Sequence, residues 1–126
     1  MMASIKTNNA PAAIGPYSQG IVTDNLVFVS GQLPIDPATG NFAEGDIKEL
    51  TRQCIRNIEA ILKEAGTGLS KVIKTTIFVA DLSNFAAVNE AYAEFFGESA
   101  PARSCVQVAA IPKGAQIEIE AIARIK

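Results

Sequence analysis

At 126 residues and a net charge of −2, the chain is sized for one domain spanning 1–126, large enough to build its own core without disulfides or a structural metal. Lys and Arg form no cluster of the kind that displaces counterions from phosphate, so nucleic acid is not an expected partner. Histidine is absent, which excludes Ser-His-Asp and Cys-His nucleophile systems and any His-bearing metal site.

The stretch from Met1 to Pro16 lacks an apolar h-region, and no run approaches the ~20 apolar residues of a membrane helix. Cys54 and Cys105 stand far apart and fit a reducing compartment better than a disulfide framework, so the cytoplasm is the expected location. With glycine counted, apolar content lies slightly above the ~45–50% usual for soluble domains. Some apolar surface is therefore expected to lie against another chain.

Along the chain, Thr7 to Gln19 carries Pro11, Gly15 and Pro16 and is expected as an irregular arm. Leu26 to Ser30 is rich enough in β-branched and aromatic residues for a strand, entered by an Asp24-Asn25 turn. Pro34 to Gly40 is a loop. A helix is expected from Asp46 to Ala65, with Asp46 as N-cap, Glu49 three residues on and Gly66 past the end. Its apolar stripe is Ile47, Leu50, Cys54, Ile58, Ile61 and Leu62. Val72 to Ala80 is expected as a strand buried on both faces through most of its length. A second helix from Ser83 to Phe96 carries Phe85, Val88, Tyr92, Phe95 and Phe96 on one stripe. Two strands then close the chain, Ala102 to Val108 and Gln116 to Ile125, with Pro112-Lys113-Gly114 turning between them.

Side chains alternate along those last strands. Arg103, Cys105 and Gln107 share one face of the first, and Ala102, Ser104, Val106 and Val108 the other. In the second, Ile117, Ile119, Ala121 and Ala123 form an apolar face opposite Gln116, Glu118, Glu120 and Arg124. The smaller and apolar faces fit under helices, so the open side of the sheet is expected to present Arg103, Cys105, Glu118 and Glu120. If the two strands pair as a hairpin, an Arg and a carboxylate project from one surface.

The run Ala10 to Gly20 (APAAIGPYSQG), Val29-Ser30-Gly31-Gln32, Lys74 to Val79, Phe85 to Asn89, Pro101 to Val106 and Ile117 to Ala123 occur in order over nearly the whole chain. Together they resemble the RidA-type reactive-intermediate deaminases. The resemblance implies an α+β, chorismate-mutase-like fold: a mixed β-sheet, two helices packed on one face, and a homotrimer with sites between subunits. It implies hydrolysis of 2-iminobutanoate, 2-iminopropanoate and related enamines to 2-keto acids and ammonia, with no cofactor and no metal. A carboxylate-binding trimer that senses 2-keto acids without turnover is the alternative from another class. Some family members have been credited with RNA-directed activity, against which the acidic balance counts.

Arg103 is the expected anchor for the substrate carboxylate, because a guanidinium matches it in bidentate fashion. The same pattern fits a structural ion pair with Glu118 or Glu120. Glu118 is the candidate to position water, since C=N hydrolysis needs water at carbon and a proton at nitrogen. Periodicity does not choose between it and Glu120; the resemblance favours Glu118. By resemblance Tyr17, on the arm, joins the catalytic set, and Ser30, Gly31, Asn89 and Cys105 the substrate neighbourhood. Cys105 lacks a base to make it a nucleophile.

Overall fold

A computed structural model describes residues 2–126. The elements in chain order are β1 (Met2–Ile5), β2 (Gly20–Thr23), β3 (Leu26–Gln32), α1 (Ile47–Glu64), β4 (Val72–Val79), α2 (Phe85–Phe96), β5 (Ala102–Gln107) and β6 (Ile117–Arg124), with short 3₁₀ turns before β4, α2 and β6. All strands join one six-stranded sheet in the order β1-β2-β3-β6-β4-β5. Only β4 and β5 run parallel, joined through α2, and the other neighbours are antiparallel. The sheet is therefore mixed, as expected.

Helix α1 begins where capping chemistry places it: the Asp46 side chain accepts from the Glu49 backbone N–H at 3.1 Å. That satisfies one of the N-terminal amides left without an intrahelical partner. Ile55, Ile58, Ile61 and Leu62 are fully buried against Val27, Ile77, Val79, Ile117 and Ile119 of the sheet. Arg52 ties α1 to α2 through Glu94 and also pairs with Glu49 one turn back. These pairs are half-exposed and add little beyond fixing how the helices lie. No helix among the described residues is long and apolar enough to cross a membrane.

Strands β1 and β2 were not expected. Each is four residues long, too short for alternation to show; β2 adds to the ladder edge of β3, and β1 to that of β2. The arm between them, residues 6–19, is irregular as anticipated, and the buried Gln19 side chain holds it. Its Oε1 accepts from Thr7 N at 2.7 Å, and its Nε2 donates to Thr7 O at 3.0 Å and Pro11 O at 2.8 Å. Asn57 does the same for the next loop, donating to Leu33 O and Ile35 O.

Three expectations need correction. Strand β4 is buried on its helix face only; its other face, including Thr76 and Phe78, is half-exposed. Strands β5 and β6 do not pair, because β4 lies between them. The third correction concerns the faces of β5. Arg103 stands beside Thr75 and Cys105 beside Ile77, both of which point into the helix layer. Glu118 stands beside Phe78 and Glu120 beside Thr76, on the open face. Arg103 and Cys105 therefore lie on the helix side and the two glutamates on the other. Alternation decided which residues share a face but not which face is covered. As an edge strand that α2 covers only partly, β5 leaves Ala102, Ser104 and Val106 exposed on the open face.

Candidate active site

The sequence-predicted residues fall into two groups rather than one. The first is built on α2 and β5. Phe85, Asn89 and Tyr92 follow at helical spacing and present one surface to the sheet edge, where Arg103 emerges. The Arg103 guanidinium carbon lies 5.1 Å from the Tyr92 ring centre and 5.5 Å from that of Phe85, within cation–π range. Its Nη1 donates to Asn89 Oδ1 at 2.6 Å. No carboxylate pairs with Arg103 among the described residues, so the ion-pair reading is not the one the chain adopts. The cation is held entirely by neutral groups and keeps its charge free for an anion.

Cys105 sits on the same strand and packs partly against the core. Burial pushes its thiol up, with the nearby Arg103 charge only partly opposing that. A raised thiol favours the protonated form, so its surroundings do not activate Cys105 as a nucleophile. Asn89 contacts Arg103 rather than standing free to meet a ligand.

The second group lies on the arm, β3 and β6. The β3–β6 register slips between Val29 and Gln32, and this irregularity places Gly31 against Glu118. A Cβ built on Gly31 would come 2.8 Å from the Glu118 carboxyl carbon. A side chain at this position would push that carboxylate away from the backbone. Burial pushes the Glu118 carboxyl above its ordinary value, and the Glu120 charge on the same face adds to the shift. Such a carboxyl is poised to exchange a proton nearer neutrality than a free one. Ser30 Oγ donates to Ser18 O, and Ser30 N donates to Gln19 O at 2.9 Å, so this serine pins the arm to β3. Tyr17 is 49% exposed, its hydroxyl accepting weakly from Ile14 N at 3.4 Å.

A cleft of about 470 Å³ opens between the arm and the 33–40 loop, walled by Tyr17, Gly31, Gln32, Ile35 and Lys113. Its size suits a small organic ligand. Arg103 does not line it. No group of His, Cys, Asp and Glu among the described residues is arranged to hold a metal.

Sequence reasoning missed the role of Phe85 and Tyr92. Both were placed on the apolar stripe of α2. Their spacing of one turn on either side of Asn89 was visible, but nothing local said that Arg103 would arrive over them.

Residues 7–125 match the family model described as Endoribonuclease L-PSP. A 2-iminobutanoate/2-iminopropanoate deaminase of Salmonella typhimurium is 52% identical, over 98% of each chain. Relatives at 53–56% identity carry the more general name of RutC family proteins. Among solved structures, a Rid-family protein of Yersinia pestis superposes with a TM-score of 0.94 at 50% identity, over 98% of this chain and 99% of that one. TdcF of E. coli with bound serine superposes with a TM-score of 0.93 at 46% identity, over 97% and 98%. The mixed sheet with two helices on one face defines an L-PSP-type α+β protein. The chain belongs to the Endoribonuclease L-PSP family and is a RidA-type member of it.

Proposed function

We propose that the protein is a cytoplasmic homotrimer that hydrolyses 2-iminobutanoate, 2-iminopropanoate and related 2-imino acids to 2-keto acids and ammonia. The observation that carries this reading is Arg103. A cation held by two aromatic rings and an amide, with no carboxylate of the chain paired to it among the described residues, suits the binding of a substrate carboxylate. The deaminase name of the Salmonella relative supports the reaction class, and the serine bound to TdcF has the same carboxylate end as an imino acid.

Because Arg103 and Glu118 lie on opposite faces of the sheet, one copy does not bring both to one substrate. A second copy seated on the open face supplies the missing half, in the chorismate-mutase-like arrangement of the family. Phe28 and Val106, 41% and 43% exposed on that face, are apolar surface that such packing removes from water. In the shared cleft, Arg103 of one copy fixes the substrate carboxylate. Tyr17, Ser30, Gly31 and Glu118 of its neighbour surround the imine carbon, and Asn89 and Cys105 border the carboxylate end.

Glu118 takes a proton from water as its oxygen adds to C2, and that proton passes to the nitrogen. The carbinolamine's hydroxyl proton then moves through Glu118 to the amine, and ammonia leaves with the C–N electron pair as the C2 oxygen becomes the carbonyl. Holding water and imine together supplies much of the rate for a bond that already hydrolyses unaided. The side chains carry every step, and no metal or organic cofactor enters the scheme.

The test uses an amino-acid oxidase to generate 2-iminobutanoate in the presence of semicarbazide. The native chain should speed keto-acid release and suppress semicarbazone, and Arg103→Ala should not. Binding of 2-ketobutanoate with no acceleration would replace the enzyme with a metabolite sensor. A stable monomer in solution would remove the shared site.

A further inference from the structure

Arg103 touches Asn89, Phe85 and Tyr92, and Tyr92 is itself held from below. Its hydroxyl and Thr75 Oγ1 lie 2.6 Å apart in a hydrogen bond. Thr75 is fully buried on β4, beside Arg103 in the parallel register. Tyr92 is 6% exposed, and its ring packs against Phe96 at 4.7 Å between centres. A cation over two rings is restrained in tilt, and an amide oxygen on one nitrogen restrains its rotation in the plane.

We infer that Thr75, Tyr92, Phe85 and Asn89 form a clamp that fixes the direction of Arg103 and presents its Nε–Nη2 edge to the incoming carboxylate. None of the four is a catalytic residue; they are positioning residues acting through Arg103. The one hydrogen bond observed favours this edge: Asn89 accepts from Nη1, and Nε and Nη2 are the two nitrogens without a hydrogen-bond partner among the described residues. The clamp contains no charge, so it orients the guanidinium without neutralising it. An aspartate at position 89 would keep the shape and supply a competing anion. A lysine at position 103 would keep the charge and lose both the planar stack and the fork.

This inference rests on the proposed carboxylate-binding role of Arg103, and the experiment separates the two. Phe85→Leu is the principal variant, because Phe85 is 39% exposed and its loss does not open the core. Tyr92→Phe keeps the ring and removes only the bond to Thr75. Asn89→Asp completes the set.

The first readout is the Arg103 Nε–H resonance of the ligand-free trimer, assigned by its disappearance in Arg103→Lys. In the native chain it should be displaced by the ring currents and should move back toward the free-arginine position in Phe85→Leu. The second is the affinity for 2-ketobutanoate, a stable carboxylate probe that needs no turnover. Phe85→Leu should weaken it about 3-fold to 10-fold, as loss of one cation–π partner predicts. Asn89→Asp should weaken it by about 10-fold or more at neutral pH and recover as the pH falls through the carboxylate range. In the imine assay these losses should appear in KM, with kcat nearly unchanged.

A native Arg103 resonance at the free-arginine position would overturn the clamp, as would Phe85→Leu and Asn89→Asp chains that bind the probe like the native one. If the native chain binds 2-ketobutanoate and the variants weaken it, but no imine is hydrolysed, the clamp stands and the deaminase reading falls.

Discussion

The two halves of the site are built by opposite means. Around Arg103 the contacts run between side chains of α2, β4 and β5, and the backbone is regular throughout. Around Glu118 the work is done by irregular backbone: a slipped register at Gly31, an arm tied by Gln19, and a serine bonded to a carbonyl. One half fixes a charge by surrounding it with neutral rings. The other raises a carboxyl by burial and admits it through a missing Cβ. In the proposed reaction anion binding needs a rigid, ionised group and proton exchange a poised one, and the two surroundings suit those two tasks.

The strongest way to break this division is to place each defect on a separate chain. Arg103→Ala and Glu118→Gln should each lower kcat/KM by about 100-fold or more, as lost charge pairing and lost acid–base help predict. Mixed by unfolding and reassociation in equal amounts, the two inactive chains should recover about one quarter of native sites, the fraction in which an intact Arg103 meets an intact Glu118 across a cyclic interface. No recovery in well-formed mixed trimers would mean that both residues act within one copy.

Gly31→Ala comes next. Its Cβ would press on the Glu118 carboxyl carbon, and activity should fall about 10-fold to 100-fold as the carboxylate is displaced from its reacting position. Binding of 2-ketobutanoate through Arg103 should suffer far less, and a parallel loss of both would blur the two halves into one. Gln19→Ala removes the bonds that hold the arm and should cost about 1–3 kcal/mol in denaturant unfolding, while the Arg103 Nε–H resonance stays in place.

The smallest effect sharpens the Glu118 side. Its pKa is raised in the folded chain, so the folded state holds that proton more tightly than the unfolded state does. The resulting stability is present below the unfolded carboxylate pKa and is lost as pH rises through the folded value. Glu118→Gln should therefore melt slightly above the native chain at neutral pH. That gap should close as the pH is lowered through the carboxylate range. An inactive variant that melts lower at neutral pH would contradict the burial account.

Much of the fold was legible in the sequence. The α1 cap at Asp46, the stripes of both helices and the apolar face of β6 follow from local chemistry and periodicity. The resemblance supplied Arg103 and Glu118 as a pair, and both stand on strands where alternation placed them. What failed was the inference that they share a face, because the small residues of β5 looked like the covered side. Ala102 and Ser104 are small on an exposed edge, and Arg103 is long on a side where α2 offers rings and an amide to receive it.

By itself the sequence determined the histidine-free chemistry, the two amphipathic helices and the alternation of β5 and β6, because each depends on residue type and on neighbours a few positions away. The tertiary structure decided the rest. It inserted β4 between β5 and β6, put Arg103 over Phe85 and Tyr92, and set Glu118 against Gly31. Those meetings join residues distant in the chain, and only the packing of α2 on the sheet and the register of β3 on β6 bring them together.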